Sequence, residues 1–481
     1  MASTVEDTIR KTVGSAIMGI GKASAALKSR KGDHPYLTGI HTPMEEELTL
    51  EALPVEGTIP AHLDGRYMRI GPNPIGPVNA ATHHWFAGDG MVHGIRISDG
   101  KADWYRNRWL RSKKVSLLLK EEEAPGPRNE RTDNANTNVI GHAGRIFGIV
   151  EAGGFPVQLS NELDTVAHTD FEGTLGESFS AHPHKDPETG ELHAVCYHAS
   201  DLDKIWHVVV GTDGKVRRRE PVTVEHGPSI HDCAITKNHV VVMDLPVTFS
   251  MKLVLSGYTF PYAWNDKHKA RIGLLGREAA GDTIVWHDID PCYVFHPANA
   301  YEREDGSVVM DVCVHDRLFH DSTEGPDDSV MSFERWIIDA KGGKVERTVL
   351  DSDPQEFPRF DERLTGKPYR YAYTVATSNE ESEFAGIGAN KLYRHDLEAG
   401  ERQVHDFDET RFPGEFVFVP NGPGELDGHL MGLVVDTANE STDLVILDVN
   451  DFEGAPTARI RLPHRVPPGF HGNWVDEAEL A

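Results

Sequence analysis

The spacing of apolar side chains divides the chain into two unequal parts. Over residues 5–29, Val5, Ile9, Val13, Ala16, Ile17, Ile20, Ala23 and Leu27 recur at three- and four-residue steps, the period that lines one face of an α-helix. This predicts an amphipathic helical extension over residues 1–33. From His34 onward the period shortens, and alternating or β-branched runs end in turn signals. Residues 90–97 stop at Ser98-Asp99-Gly100, residues 205–210 run toward Asp213-Gly214, and residues 308–314 follow Asp305-Gly306. Each run reads as half of a hairpin. Similar runs lie at residues 144–151, 239–245, 335–339, 391–396, 430–435 and 444–449. Antiparallel hairpins repeated over this length, with no strict repeat and no long helical pattern between them, predict an all-β fold. A β-propeller with divergent blades fits best, as a single domain over residues 34–481.

Charge narrows the partner classes. The 48 basic and 76 acidic residues leave a formal charge of −28, so most of the surface would repel a polyanion and nucleic acid is excluded. Arg10, Lys11, Lys22, Lys28, Arg30 and Lys31 give the helical extension a basic face. A basic amphipathic helix suits peripheral contact with an anionic membrane, the competing reading being a helix docked on its own domain. Cys196, Cys233, Cys292 and Cys313 match no zinc or redox spacing and read as reduced core thiols. No secretory leader and no bilayer-spanning run is visible, which predicts a cytoplasmic protein.

Histidine is abundant, with 26 residues, so context has to select the chemically interesting ones. Four share a setting beside small residues, Pro or Asp: His182 in Ser-Ala-His-Pro, His231 in Ile-His-Asp-Cys, His296 in Phe-His-Pro-Ala, and His471 in Phe-His-Gly-Asn-Trp. A propeller brings innermost strands from different blades to one axis, where distant residues can share a metal. Four imidazoles suit a borderline metal but leave its charge uncompensated, so carboxylates on their second ring nitrogens are expected. Glu151, Glu356 and Glu415 read as glutamates inside otherwise apolar strands and are the candidates. His83, His84, His184, His315 and His320 sit in settings that read as exposed loops or turns, and no His-Glu-x-x-His pair is present.

From Asp64 to Trp474 the chain resembles the carotenoid cleavage oxygenases, non-haem iron enzymes that split alkenes. The resemblance rests on Asp64-Gly65-Arg66-Tyr67, Gly71-Pro72-Asn73-Pro74, Trp85-Phe86-Ala87-Gly88-Asp89-Gly90-Met91 and Ala135-Asn136-Thr137-Asn138. The histidine and glutamate motifs and Pro368-Tyr369-Arg370-Tyr371-Ala372-Tyr373 follow in family order. It implies a seven-bladed propeller capped by a dome of loops and short helices, with Fe(II) held by His182, His231, His296 and His471. It further implies that Glu151, Glu356 and Glu415 back three of these ligands, leaving His182 without a glutamate, and that Thr137 crowds an open iron position as a gate. The implied reaction splits an alkene with O2 into two carbonyl products.

By motif position and resemblance, Trp85, Phe86, Trp109, Thr132 and Phe295 are expected in the substrate tunnel. Stilbene-cleaving relatives grip a phenol with tyrosine and lysine, and the matching positions here are Trp109 and Thr132. No lysine lies between Lys120 and Lys185. This favours a carotenoid or apocarotenoid, the alternatives being a stilbene or phenylpropene cleaved by the same chemistry, or a catalytically inactive propeller serving as a binding scaffold. Relatives place a membrane-dipping patch near residues 247–260, which here are apolar and interrupted. No protein partner is implied.

Overall fold

The computed structural model describes residues 4–129, 132–327, 329–378 and 389–480, with side chains from Gly14 onward. Among the described residues, seven antiparallel sheets of four or more strands follow one another as the blades of a propeller. The first blade holds Gly65–Pro72, Gly90–Ser98 and Lys101–Trp109. The next five begin on the axis with Asn138–His142, His184–Lys185, Cys233–Ile235, Pro297–Glu302 and Gln355–Arg359, and each runs outward through three further strands. The seventh contains Arg411–Pro413, Val417–Pro420, Gly428–Asp436, Ser441–Asp448 and Ala458–Leu462.

The ring is closed twice. Gly472–Asp476 returns to the first blade and pairs with Gly65–Pro72, with Gly65 opposite Asp476 and Arg69 opposite Gly472. In the other direction, Val55–Gly57 adds an edge to the seventh blade by pairing with Ala458–Leu462.

Strand patterning follows radial position. In the fifth blade, Val308–His315 is buried at every position, Met331–Ile338 alternates, and most of Val345–Asp351 is open to solvent. An inner strand is covered on both faces by neighbouring blades and reads as a continuous apolar run, whereas an outer strand meets water and needs polar residues.

The helix Thr4–Ala26 packs against the short helix Met251–Leu255 in the cap. Gly21 permits the contact, because a Cβ there would lie 2.5 Å from the Val254 carbonyl oxygen. Ser24 Oγ donates to the Ser256 carbonyl at 3.3 Å, and Asn79 Nδ2 donates to the Ala25 carbonyl at 2.9 Å. Val5, Ile9 and Val13 of the expected apolar face lie outside the described side chains. All four cysteines are buried and free. Among the described residues no helix is long and apolar enough to cross a membrane.

Candidate metal centre

Each blade contributes one residue near the axis, at or within two positions of the start of its innermost strand. In order round the ring these are His471, Thr137, His182, His231, His296, Glu356 and Glu415. The four histidines converge, with one nitrogen from each lying within 4.8 Å of the others. The His182 ring centroid is 4.4 Å from that of His471 and 4.5 Å from that of His231.

Carboxylates lie behind three of the rings. His296 Nδ1 donates to Glu356 Oε2 at 2.6 Å and His471 Nδ1 donates to Glu415 Oε1 at 3.0 Å, in each case joining neighbouring axial positions. Glu151 Oε2 is 2.9 Å from His231 Nδ1 but off the hydrogen-bond direction. The chain bends sharply to deliver two of these groups. Glu356 sits at a register shift in its strand, followed by Phe357 at φ 53°, whose ring packs over His296 at 5.5 Å. Glu151 lies just past the strand Arg145–Ile149 and precedes Ala152 at φ 63°. Positive φ in a non-glycine residue costs of order 1 kcal/mol or more, a cost borne here where it aims a carboxylate at a histidine of the cluster. Contrary to the sequence reading of glutamates within strands, only Glu356 lies in one; Glu415 falls between Arg411–Pro413 and Val417–Pro420.

The donor set fits a divalent metal. A histidine whose Nδ1–H faces a carboxylate presents the Nε2 lone pair. The Nε2 atoms of His231 and His296 face each other at 3.2 Å, and His182 Nε2 is buried with no hydrogen-bond partner. Opposed lone pairs beside an orphaned nitrogen are unfavourable unless a cation joins them. Burial and the other three imidazoles hold His182 well below the usual histidine pKa. Burial would raise the Glu415 carboxyl, but Arg359 and His471 overcome it and hold it down to about 2. Burial likewise opposes charge on His296, yet Glu356 outweighs it and raises that pKa.

A cavity of about 600 Å³ ends on His231, His296 and His471. Trp85, Phe86, Thr132, Thr137 and Phe295 line it. Trp109 does not: it is fully buried beside Met91 and Val115, and its Nε1 donates to the Asn73 carbonyl at 2.8 Å. The sequence expectation that put Trp109 in the tunnel is corrected by the face of the strand from which it projects. On the other side of the imidazoles, a polar channel of about 210 Å³ is lined by His182, His184, Asp232, Arg359 and Glu362. The histidine cluster separates the two spaces.

Two of the sequence motifs prove to be halves of one clamp. Asn134 Nδ2 and Asn136 Nδ2 both donate to the Gly88 carbonyl, at 2.8 and 2.7 Å, and Asn136 Nδ2 also donates to the Phe86 carbonyl at 2.8 Å. The Trp85–Phe86 wall is thereby tied to the segment carrying Thr137. The Thr137 hydroxyl donates to Asn136 Oδ1 at 3.0 Å, which leaves it committed to its neighbour.

Histidines expected at the surface turn out otherwise. His83, His84 and His315 are buried, His84 stacking on Phe260 at 4.2 Å, while His320 remains exposed at 42% of its side chain. His315 Nε2 donates to Glu356 Oε1 at 3.2 Å, so one carboxylate serves two rings. Arg359 Nη1 donates to Glu415 Oε1 at 3.4 Å. His315 reads in the sequence only as an exposed turn residue, and Arg359 does not stand out there, although it lies three residues beyond Glu356 and its largely buried charge demands a partner.

A propeller whose axis carries four converging imidazoles, three of them backed by glutamates, at the end of an aromatic-walled cavity defines a non-haem metalloenzyme. The retinal pigment epithelial membrane protein family model matches residues 41–476, and the chain belongs to this family, that of the carotenoid cleavage oxygenases. A carotenoid cleavage oxygenase of Mycobacterium tuberculosis is 41% identical over 93% of this chain and 99% of its own length. The crystal structure of Pseudomonas brassicacearum lignostilbene dioxygenase superposes with a TM-score of 0.83 at 26% identity, covering 93% of this chain and 100% of that one. Cobalt-substituted apocarotenoid oxygenase of Synechocystis superposes at 0.80 with 26% identity, over 90% and 97% of the two chains. This chain is accordingly an alkene-cleaving dioxygenase whose cofactor is non-haem iron.

Proposed function

We propose that His182, His231, His296 and His471 hold Fe(II), and that the enzyme cleaves a double bond of a carotenoid or apocarotenoid with O2 to give two carbonyl products. The observation that carries the reading is the aromatic-walled cavity that ends on the imidazole cluster with no lysine among its described lining residues. Bound Fe(II) supplies the activation of O2. The protein does the rest by positioning and exclusion. Phe86, Phe295 and Trp85 form a dry wall along which an extended alkene lies. Thr137 borders the cavity beside His471, whose backbone N–H donates to the Thr137 carbonyl at 3.1 Å, and its methyl group would crowd one approach to a bound metal. Glu151, Glu356 and Glu415 orient three rings and compensate the cation's charge.

The mycobacterial relative at 41% identity supports a polyene over a stilbene. So does the lack of a phenol clamp, since Thr132 cannot act as a lysine and Trp109 faces away from the cavity. The test is incubation of Fe(II)-loaded enzyme with carotenoids, apocarotenals and 4-hydroxystilbenes, with products identified by mass spectrometry. Paired carbonyl fragments of a polyene are expected. Turnover of 4-hydroxystilbenes with none of apocarotenals would reverse the assignment.

We further infer that the helix Thr4–Ala26 and the segment 247–260 form one membrane-contact patch. Their packing leaves Ile20 at 56%, Leu27 at 89% and Leu255 at 37% exposure, and Thr259 and Phe260 nearby line the cavity. An apolar patch beside the cavity mouth would take a water-averse substrate directly from lipid. Wild-type enzyme is expected to co-sediment with vesicles containing phosphatidylserine. Combining Ile20→Ser, Leu27→Ser and Leu255→Ser should weaken this at least about tenfold, given about 1.5–3 kcal/mol per buried aliphatic side chain. Equal recovery of both proteins with the vesicles rules the patch out.

A further inference from the structure

Three of the four histidines have a glutamate behind them, and His182 has none. Its Nδ1 nevertheless lies 3.6 Å from Oδ2 of Asp232, a buried residue that directly follows His231 in the chain. The other oxygen of Asp232 is firmly held: Oδ1 accepts from His184 Nε2 at 2.8 Å and from the Cys233 backbone N–H at 2.6 Å. His182 and His184 are separated only by Pro183, so the two rings flank one carboxylate from a short segment whose middle residue has a fixed φ. The His182 backbone N–H is tied in turn to Ser180 Oγ at 3.0 Å.

We propose that Asp232 is the positioning carboxylate of His182, and that His184 holds Asp232 in place from the channel side. The inference rests on the reading of the four histidines as metal ligands. At 3.6 Å the carboxylate acts through its charge on the ring N–H without a formed hydrogen bond. Asp232 reaches His182 from the position adjoining His231, in the blade next to that of His182, as Glu356 and Glu415 reach their rings from neighbouring blades. A repeated arrangement supports the assignment. Glu356 is shared by His296 and His315, Glu415 by His471 and Arg359, and Asp232 by His182 and His184. Each carboxylate thus has one partner at the centre and one donor outside it that keeps it in place, as outer partners of metal ligands commonly do.

The test uses the full chain stripped of metal and titrated with Co(II) against a competing chelator, with the visible d–d absorption of the bound Co(II) recorded alongside. Asp232→Asn is expected to weaken Co(II) binding by about tenfold or more and to shift the d–d band. His184→Gln should move both readouts in the same direction by less. Wild-type affinity and spectrum in both variants overturn the proposal. So does a lowered unfolding midpoint of the metal-free variants with unchanged Co(II) affinity, which would mean that Asp232 only braces the Cys233 turn. Should Asp232→Asn fail to fold, His184→Gln decides alone, and an unchanged affinity there rejects the role. A wild-type chain that binds neither Co(II) nor Fe(II) refutes the four-histidine reading itself, and this inference with it.

Discussion

His296→Ala is expected to leave a folded protein that retains no stoichiometric iron and no alkene cleavage. The ring is fixed on two sides, by Glu356 at 2.6 Å and by the Phe357 ring, and its Nε2 faces that of His231 at 3.2 Å. Removing it deletes one of four nitrogens from a site whose rings are already oriented, so the remaining three cannot turn to compensate. Losing an outer carboxylate typically costs about 10–100-fold in metal affinity; losing a ligand should exceed the upper end of that range. Folding should survive, because Glu356 keeps its contacts with His315 Nε2 and the Phe357 backbone N–H. Elemental analysis of purified protein and circular dichroism check the two halves of the expectation. Iron retained at one equivalent would remove His296 from the ligand set.

The second large effect is expected from Gly90→Ala. Gly90 opens the strand Gly90–Ser98, and a Cβ there would lie 1.8 Å from the carbonyl oxygen of Ala135 and 2.8 Å from its carbonyl carbon. No flexible side chain can give way, because the obstacle is backbone. That backbone is pinned: Asn134 Oδ1 accepts the Gly90 N–H at 2.9 Å, and the amides of Asn134 and Asn136 grip the Gly88 carbonyl. Forced overpacking in so rigid a place should cost about 3 kcal/mol, and the displacement should pass along the chain to Thr137 at the cavity wall. A lowered urea midpoint with reduced activity of the iron-loaded enzyme is the expected result. Gly19→Ala, where nothing lies within 4 Å of the added carbon, is the control and should be neutral or mildly stabilising. A wild-type midpoint for Gly90→Ala would mean that the clamp yields.

Strand patterning alone reveals the class of fold, because inner and outer strands differ in how much water they meet and the chain records that difference residue by residue. Residues 391–396, expected as a strand, match Lys391–Asp396, and residues 308–314 fall within Val308–His315. Candidate chemistry is visible only where local context marks it. The short motifs around His182, His231, His296 and His471 draw attention to these four, while their convergence depends on closure of the ring and on the family resemblance. Asp232 and Arg359 escape notice, and the role of His315 stays hidden, because their partners lie on distant segments, 56 residues away in the case of Arg359 and Glu415. For Trp109 the motif supplies a position along the strand Lys101–Trp109 but not the face its side chain takes, which here packs on Met91 and Val115. His84 reads as exposed beside His83 although Phe86 follows closely in the chain, because the ring it stacks on, Phe260, is distant in sequence.

His471 immediately precedes Gly472–Asp476, the strand that seals the first blade. During translation a growing polypeptide can therefore collect His182, His231 and His296 while still attached to the ribosome, but the fourth imidazole arrives only when the circle is zipped shut. With the proposed ligand set, the full group of four nitrogens would assemble only on ring closure, and a chain ending ahead of Phe470 would lack both the seal and one donor.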